Sequence, residues 1–165
     1  MIRPCDDDDL LDIYAVINDA AHAYRGVIPP GHWKEPYMRA DELRAEMGAG
    51  IRFLGYRLGE QLVGVIGLQD VLDAALIRHA YVRTAYRNQG IGGQLLAELR
   101  ARTDRPLLVG TWAAARWAIR FYEKHGFHLV PEQTRRRLLT KYWSLPSSQV
   151  EESVVLTATA PANWH

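Results

Sequence analysis

The stretch Tyr81–Arg100, YVRTAYRNQGIGGQLLAELR, holds the residues best spaced for chemistry. Three glycines, Gly90, Gly92 and Gly93, fall where an apolar strand pattern gives way to a helical one. Glycine lets a ligand approach the backbone closely. The first turn of the following helix has N–H groups without partners, aimed back at the loop. With Arg87 at its mouth, this arrangement would bind an anion such as a pyrophosphate. On the glycines alone, a plain strand-to-helix connection is an equally good reading. Two phosphate signatures fail. No Gly-x-x-x-x-Gly-Lys-Ser/Thr run exists. The dinucleotide pattern Gly-x-Gly-x-x-Gly meets Leu95 at its third glycine, and Val109-Gly110-Thr111-Trp112 offers no acid where one should follow.

Two other clusters read as inert. Asp6 to Asp9 precede a helical pattern, where carboxylates cap free N–H groups and favour the positive end of the helix dipole. Neighbouring aspartates diverge, which makes a poor cation cage, so no metal is expected. Cys5 is the single cysteine; it excludes an internal disulfide and a Cys-rich zinc site. Its acidic neighbours should raise the thiol pKa.

The elements that must position these residues follow from periodicity and punctuation. A short Met1–Pro4 strand leads to a helix with Leu10, Ile13, Ile17 and Ala20/Ala21 at helical spacing. A Pro-rich loop and a second short helix follow, with Asp41 as its expected cap. IRFLGYRL and QLVGVIGLQDV, joined by Gly59-Glu60, read as a hairpin. AALIRHAYVRT is a third strand of that group, and Ile91, Leu95, Leu96 and Leu99 make the stripe of the helix after the glycines. Leu107-Leu108-Val109 reads as a strand buried on both faces. A helix over 113–126 would carry Ala114, Ala118, Phe121 and His125 in register, with Gly126 as its stop. FHLV, a Pro-opened helix PEQTRRRLLTKYW and a last strand ESVVLTAT complete the chain, and the tail APANWH has no pattern. Early hairpins and later crossovers predict an α/β fold with a mixed sheet, antiparallel first and partly parallel after.

The 165 residues read as one domain, 1–165, large enough to bury a core. Hydrophobic residues at 48% and charged residues at 24% exclude a disordered chain. Twenty basic against 19 acidic residues leave a net charge of +1, too little for a field that holds nucleic acid or an anionic membrane. TRRRLL reads as a solvated helix face. No apolar run approaches the roughly 20 residues of a membrane span. The acidic N-terminus has no signal-peptide core, so a cytoplasmic protein is expected.

The segment Arg87-Asn88-Gln89-Gly90-Ile91-Gly92, preceded by AYV and followed by an amphipathic helix, resembles the Arg/Gln-x-x-Gly-x-Gly/Ala motif of the GNAT N-acetyltransferases. AIRFYEKHGF, Ala118 to Phe127, resembles that family's second hallmark segment, and the order of elements fits across nearly the whole chain. The resemblance implies the GNAT fold: a mixed, largely antiparallel sheet, splayed between its fourth and fifth strands, with acetyl-CoA as cosubstrate in the opening. It implies that backbone N–H groups from Asn88 to Gly93, with Arg87 and Gln89 beside them, hold the CoA pyrophosphate. The strand at Tyr81 and Val82 would pair with the pantetheine arm, and a backbone N–H there would face the thioester carbonyl. Tyr122 would protonate the departing thiolate, a role suited to a phenol that keeps its proton at neutral pH; without the motif it reads as an aromatic packed on the sheet. Ala115 departs from an asparagine common in the family, so one polar contact to the cofactor is missing or supplied elsewhere.

Many relatives place a glutamate base on the fourth strand, where this chain reads Ala75-Leu76-Ile77-Arg78-His79-Ala80. His79 is the nearest titratable group, and the reference pKa of the histidine side chain suits neutral pH. It is read equally well as a packed strand histidine. Asp70 and Asp73, in the preceding turn, are weaker alternatives, and a water chain is a further one. Alternation along the strand cannot decide, because the family bulges here. Candidate walls for the acceptor amine are Trp33, Tyr37, Trp112 and Tyr142, with Trp143; the same aromatics suit a core. The expected activity is direct acetyl transfer to a primary amine of a small molecule. The alternative is a CoA-sensing or partner-binding module. The family also makes a homodimer through the last strand an expectation.

Overall fold

A computed structural model of the chain describes residues 1–158; the patternless tail after that lies outside the described residues. Seven strands form one sheet: β1 Ile2–Pro4, β2 Arg52–Leu58, β3 Gln61–Val71, β4 Ala74–Val82, β5 Leu107–Trp112, β6 His128–Leu129 and β7 Ser153–Thr157, in the spatial order β1-β2-β3-β4-β5-β7-β6. Only β4 and β5 run parallel; every other neighbouring pair is antiparallel. The sheet is therefore mixed and largely antiparallel, as the GNAT resemblance implied. The last strand, β7, is flanked on both sides, by β5 and β6.

Among the described residues six helices cover the sheet: α1 Leu10–Ala21, α2 Ala40–Gly48, α3 Ile91–Ala101, α4 Arg116–Lys124, α5 Glu132–Tyr142 and α6 Ser147–Glu151. The alternation of β2 shows why both faces are covered. Phe53 packs with Leu10, Ile13, Ile17 and Leu43 of α1 and α2, while Leu54 packs with Ile91, Leu95, Leu96 and Leu99 of α3. The run Leu107-Leu108-Val109 divides the same way: Leu107 and Val109 join the α3 side, and Leu108 joins Leu138 and Leu139 of α5.

The aspartates do cap. Asp6 accepts from the Asp8 N–H at 2.9 Å, and Asp9 returns the bond to the Asp6 N–H at 2.9 Å. They close a 3₁₀ turn, Asp7–Asp9, that runs into α1. Asp9 also accepts from the buried Arg57 at 2.6 Å, tying the helix start to the hairpin. Asp6→Ala removes the reciprocal cap and is expected to cost about 1 kcal/mol, read as a lower urea midpoint at unchanged slope.

Several expectations are corrected. Asp41 is not the cap of α2; Arg39 occupies that position, and Asp41 sits inside the first turn, bonded to the Glu42 N–H. Helix α4 starts at Arg116, not at 113, because the Ala113 N–H is held by the Glu152 carbonyl beside β7. Ala114 is thus off the helical stripe. The short α6, opened after Pro146, was not foreseen. Arg135, read as part of a solvated face, is only 6% exposed. It donates to the Val150 and Ser153 carbonyls and pairs with Glu132, which pins α5 to the start of β7.

Candidate active site

Strands β4 and β5 pair only over Ala75–Ile77 with Leu107–Val109. Beyond that, β4 stays with β3 through Tyr81 and Val82, while β5 stays with β7 through Gly110 to Trp112. The two strands part, and a cavity of about 880 Å³ opens between them. Its walls are His79 to Val82 of β4, Val109 to Thr111 of β5, the glycine loop, and Trp117, Phe121 and Tyr122 of α4, with Tyr24 from the turn after α1. The edge of β4 facing β5 is left without a strand partner, so its outward N–H and C=O groups are available to an extended ligand.

The glycine loop forms the far wall. Asn88 and Gly90 are left-handed, at φ 64° and 81°, a turn that asparagine tolerates and glycine makes freely. Gly90 precedes the first residue of α3, and no side chain caps the helix. The first-turn N–H groups therefore keep their capacity for an external acceptor. Gly93 has a second duty. A Cβ there would lie 2.6 Å from Nε2 of His125, so the missing side chain lets α4 pack against the start of α3. Burial, with the charges of Lys124 and Arg100, holds His125 below the ordinary histidine pKa. Arg87, Asn88, Gly90, Ile91, Gly92 and Gly93 line the cavity; Gln89 is exposed and does not.

Tyr122 projects into the cavity and is 5% exposed, its ring against Phe121 and Phe127 at centroid distances of 5.1 and 5.6 Å. Burial first, and Tyr24 second, push its phenol pKa well above the ordinary value. Tyr24 is pushed up to about 12, by burial and then by Tyr37. Ala115 is fully buried at the start of α4 and offers the cavity nothing polar.

Strand β4 bulges where the resemblance placed an irregularity. Val65 pairs with Tyr81 and Gly67 with Arg78, so Ile66 alone faces both His79 and Ala80. His79 takes φ 54°, a left-handed conformation that a side chain adopts only when its surroundings hold it there. Its ring lies between Phe53 and Tyr81, at 6.2 and 6.4 Å. Nε2 is 2.7 Å from Oε2 of Glu46, on α2. The other carboxylate oxygen of Glu46 accepts from Arg78 at 3.3 Å, and Arg78 is steadied by Gln69 at 2.7 Å. Burial opposes ionisation of Glu46, but the hydrogen bond and charge of His79, then Arg78 and Lys34, outweigh it and hold the carboxyl below its ordinary value. An acid thus reaches β4 from another element, although β4 carries none of its own at this point.

The proposed acceptor walls divide. Trp33, Tyr37 and Tyr24 stack in a row, at 5.9 and 6.2 Å, and Tyr24 meets Trp117 at 5.2 Å and Tyr81 at 6.3 Å. Only Tyr24, Tyr81 and Trp117 of this group line the cavity; Trp33 and Tyr37 back them from behind. Trp112 packs on His32 at 5.3 Å and is not a wall. Tyr142 lies elsewhere, in the α5 core, with its hydroxyl donating to Asp73 in the β3–β4 turn. Trp143 packs beside that cluster. The sequence carried no cue for Tyr24, Trp117 or Glu46, which no motif contains.

Among the described residues no three His, Cys, Asp or Glu side chains are grouped to hold a metal ion, and no helix is long and apolar enough to cross a membrane. Comparison with curated proteins gives no match. Residues 49–129 match the acetyltransferase (GNAT) domain. The fold is similar to that of the PaiA N-acetyltransferase from Thermoplasma acidophilum, crystallised in complex with coenzyme A, with TM-score 0.71 and 19% identity over 97% of this chain and 98% of that one. It is similar to a GNAT-family acetyltransferase from Staphylococcus aureus Mu50, with TM-score 0.70 and 16% identity over 96% and 99% of the two chains. A ribosomal-protein-alanine N-acetyltransferase from Brucella melitensis gives TM-score 0.61 and 24% identity over 79% and 86%. The matched domain, the parted strands and these shared folds agree: residues 49–129 form a GNAT acetyltransferase domain, and the described chain has the GNAT fold.

Proposed function

We propose that the protein transfers the acetyl group of acetyl-CoA directly to a primary amine of a small molecule. The observation that carries this is the meeting, in one cavity, of an unpaired β4 edge, an uncapped α3 N-terminus and the buried phenol of Tyr122. The cosubstrate supplies an activated thioester. The α3 turn and loop, Asn88 to Gly93 with Arg87, suit its pyrophosphate, and the free edge at Tyr81 and Val82 suits the amides of its pantetheine arm. A backbone N–H of that edge would face the carbonyl oxygen as negative charge develops there. His79 takes a proton from the amine, and Tyr122 gives one to the departing thiolate. Cys5 supports direct transfer: it packs with the α1 side of the core, and burial, then Asp9, push its thiol up to about 11.

Tyr24, Tyr81 and Trp117 give the cavity an aromatic wall, which suits a small amine. Ala115 motivates a second reading, a domain that binds CoA without turnover. The two separate in one series. Acetyl-CoA at a hundredfold excess over Kd is expected to raise Tm by roughly 5–10 °C, with ATP and NAD inactive as controls. A thiol-release screen over small amines, and over peptides with a free N-terminus, then reads turnover. A shift without turnover on any amine favours the binding domain, turnover on peptides alone overturns the small-molecule acceptor, and no shift overturns both readings.

A further inference from the structure

We infer that Glu46 is a positioning residue that fixes the tautomer of His79, so that Nδ1 is the atom receiving the amine proton. This rests on the reading of His79 as the base. The geometry begins on α2. Leu43 is fully buried against the α1 side of the core, and Glu46, one turn further on, shares its face. That placement carries the carboxylate across to β4, 33 residues away in sequence, and sets Oε2 2.7 Å from Nε2.

An ionised carboxylate only accepts hydrogen bonds, so the proton in this contact sits on Nε2. Neutral imidazole has a single N–H, which leaves Nδ1 with the lone pair. Nδ1 has no hydrogen bond among the described residues and is absent from the buried unpartnered atoms, so it keeps solvent access, and its ring belongs to a residue that lines the cavity. The ring cannot turn freely: Phe53 and Tyr81 flank it, and the bulge sets its backbone. The side chains are 12% and 28% exposed, so the contact is partly shielded from water. The charged and titratable groups around it are Glu46 from α2, Arg78 of the same strand, Lys34 acting through Glu46, and the phenols of Tyr81 and Tyr37. The competing arrangement is a structural imidazolium–carboxylate pair, in which Nδ1 carries a proton and cannot act as a base.

Long-range ¹H–¹⁵N NMR on the full chain labelled at histidine separates these without any substrate. The expected result at pH 8 is a neutral His79 with its proton on Nε2, and a mixed tautomer in Glu46→Ala. A doubly protonated ring at pH 8, or a proton on Nδ1, overturns the inference. Kinetics add an independent reading. Glu46→Gln should lower kcat 10–100-fold at unchanged KM for acetyl-CoA. It should also move the acid limb of the pH profile, because an uncharged amide replaces the carboxylate bonded to Nε2. Glu46→Gln is nearly isosteric and keeps an acceptor, so it serves where Glu46→Ala fails to fold. His79→Gln should abolish the limb. If it leaves rate and limb intact, the assignment of the base is wrong. If it abolishes the limb while Glu46→Gln leaves kcat and limb in place, the base stands and the role of Glu46 is overturned.

Discussion

Tyr122→Phe is expected to lower kcat about 10²–10⁴-fold while acetyl-CoA still raises the melting temperature. The substitution deletes one oxygen and keeps the ring between Phe121 and Phe127. Among the described residues no hydrogen bond to that hydroxyl exists, so little folded-state stability is lost with it. The departing thiolate loses its proton donor. The sign of the pH dependence follows from the direction of the shift. Burial and Tyr24 raise the pKa of the phenol, so the acid form persists below the ordinary tyrosine value and beyond it. Tyr122 therefore adds no alkaline limb in the neutral range. The same group contributes stability that is fully present below the unfolded pKa and fades as pH rises toward the folded one. Measurement of thiol release beside a thermal shift checks the claim; unchanged turnover in the variant removes Tyr122 as the acid.

Gly67→Ala is expected to cost about 1–3 kcal/mol and to lower activity as well, although the residue lies outside the cavity. A Cβ at this position would sit 2.7 Å from the Arg78 carbonyl oxygen, 3.0 Å from Ile51 and 3.2 Å from Phe53. The first neighbour is backbone and cannot swing aside. Relief must come from displacing β4 at Arg78, the residue immediately before the bulge. Phe53 also flanks the His79 ring, so both supports of that ring move together. Gly31→Ala is the matched control, with nothing within 4 Å of its added carbon and no special backbone requirement. Urea unfolding of the two variants beside kcat tests the coupling. A Gly67→Ala protein with native stability and native kcat would show that β4 yields at no cost.

Local pattern made most of the fold legible. The strand-to-helix switch at Gly90, the α3 stripe and the two-sided burial of Leu107 to Val109 each follow from side-chain periodicity within about ten residues. What escaped depends on contacts between distant segments. Ala113 and Ala114 have helix-forming side chains, yet the Glu152 carbonyl accepts from the Ala113 N–H and keeps this segment out of α4. Arg135 looks solvated until the carbonyls of residues 150 and 153 come round to meet it. The candidate site divides on the same line. The cavity-lining loop and Tyr122 sit in contiguous motifs, whereas Glu46 meets His79 across 33 residues. Aromatic residues were the least legible, because a tryptophan or tyrosine serves a core and a pocket wall equally well. Tyr142 went to the core, Tyr37 and Trp33 to a supporting row, and Tyr24, which no motif flags, to the wall.

The extra residue in β4 acts as a phase shifter. Ile77 and Val82 differ in parity, yet both pack on the α3 side of the sheet, while Tyr81 turns toward α1. Flattening the bulge with every residue kept would restore unbroken alternation, but it would exchange the faces of everything downstream. Tyr81 would turn toward α3, and Val82 toward the aromatic row. A one-residue deletion at 79–80 would instead leave Tyr81 opposite Val65 and keep both faces, at the expense of the left-handed turn that sets His79.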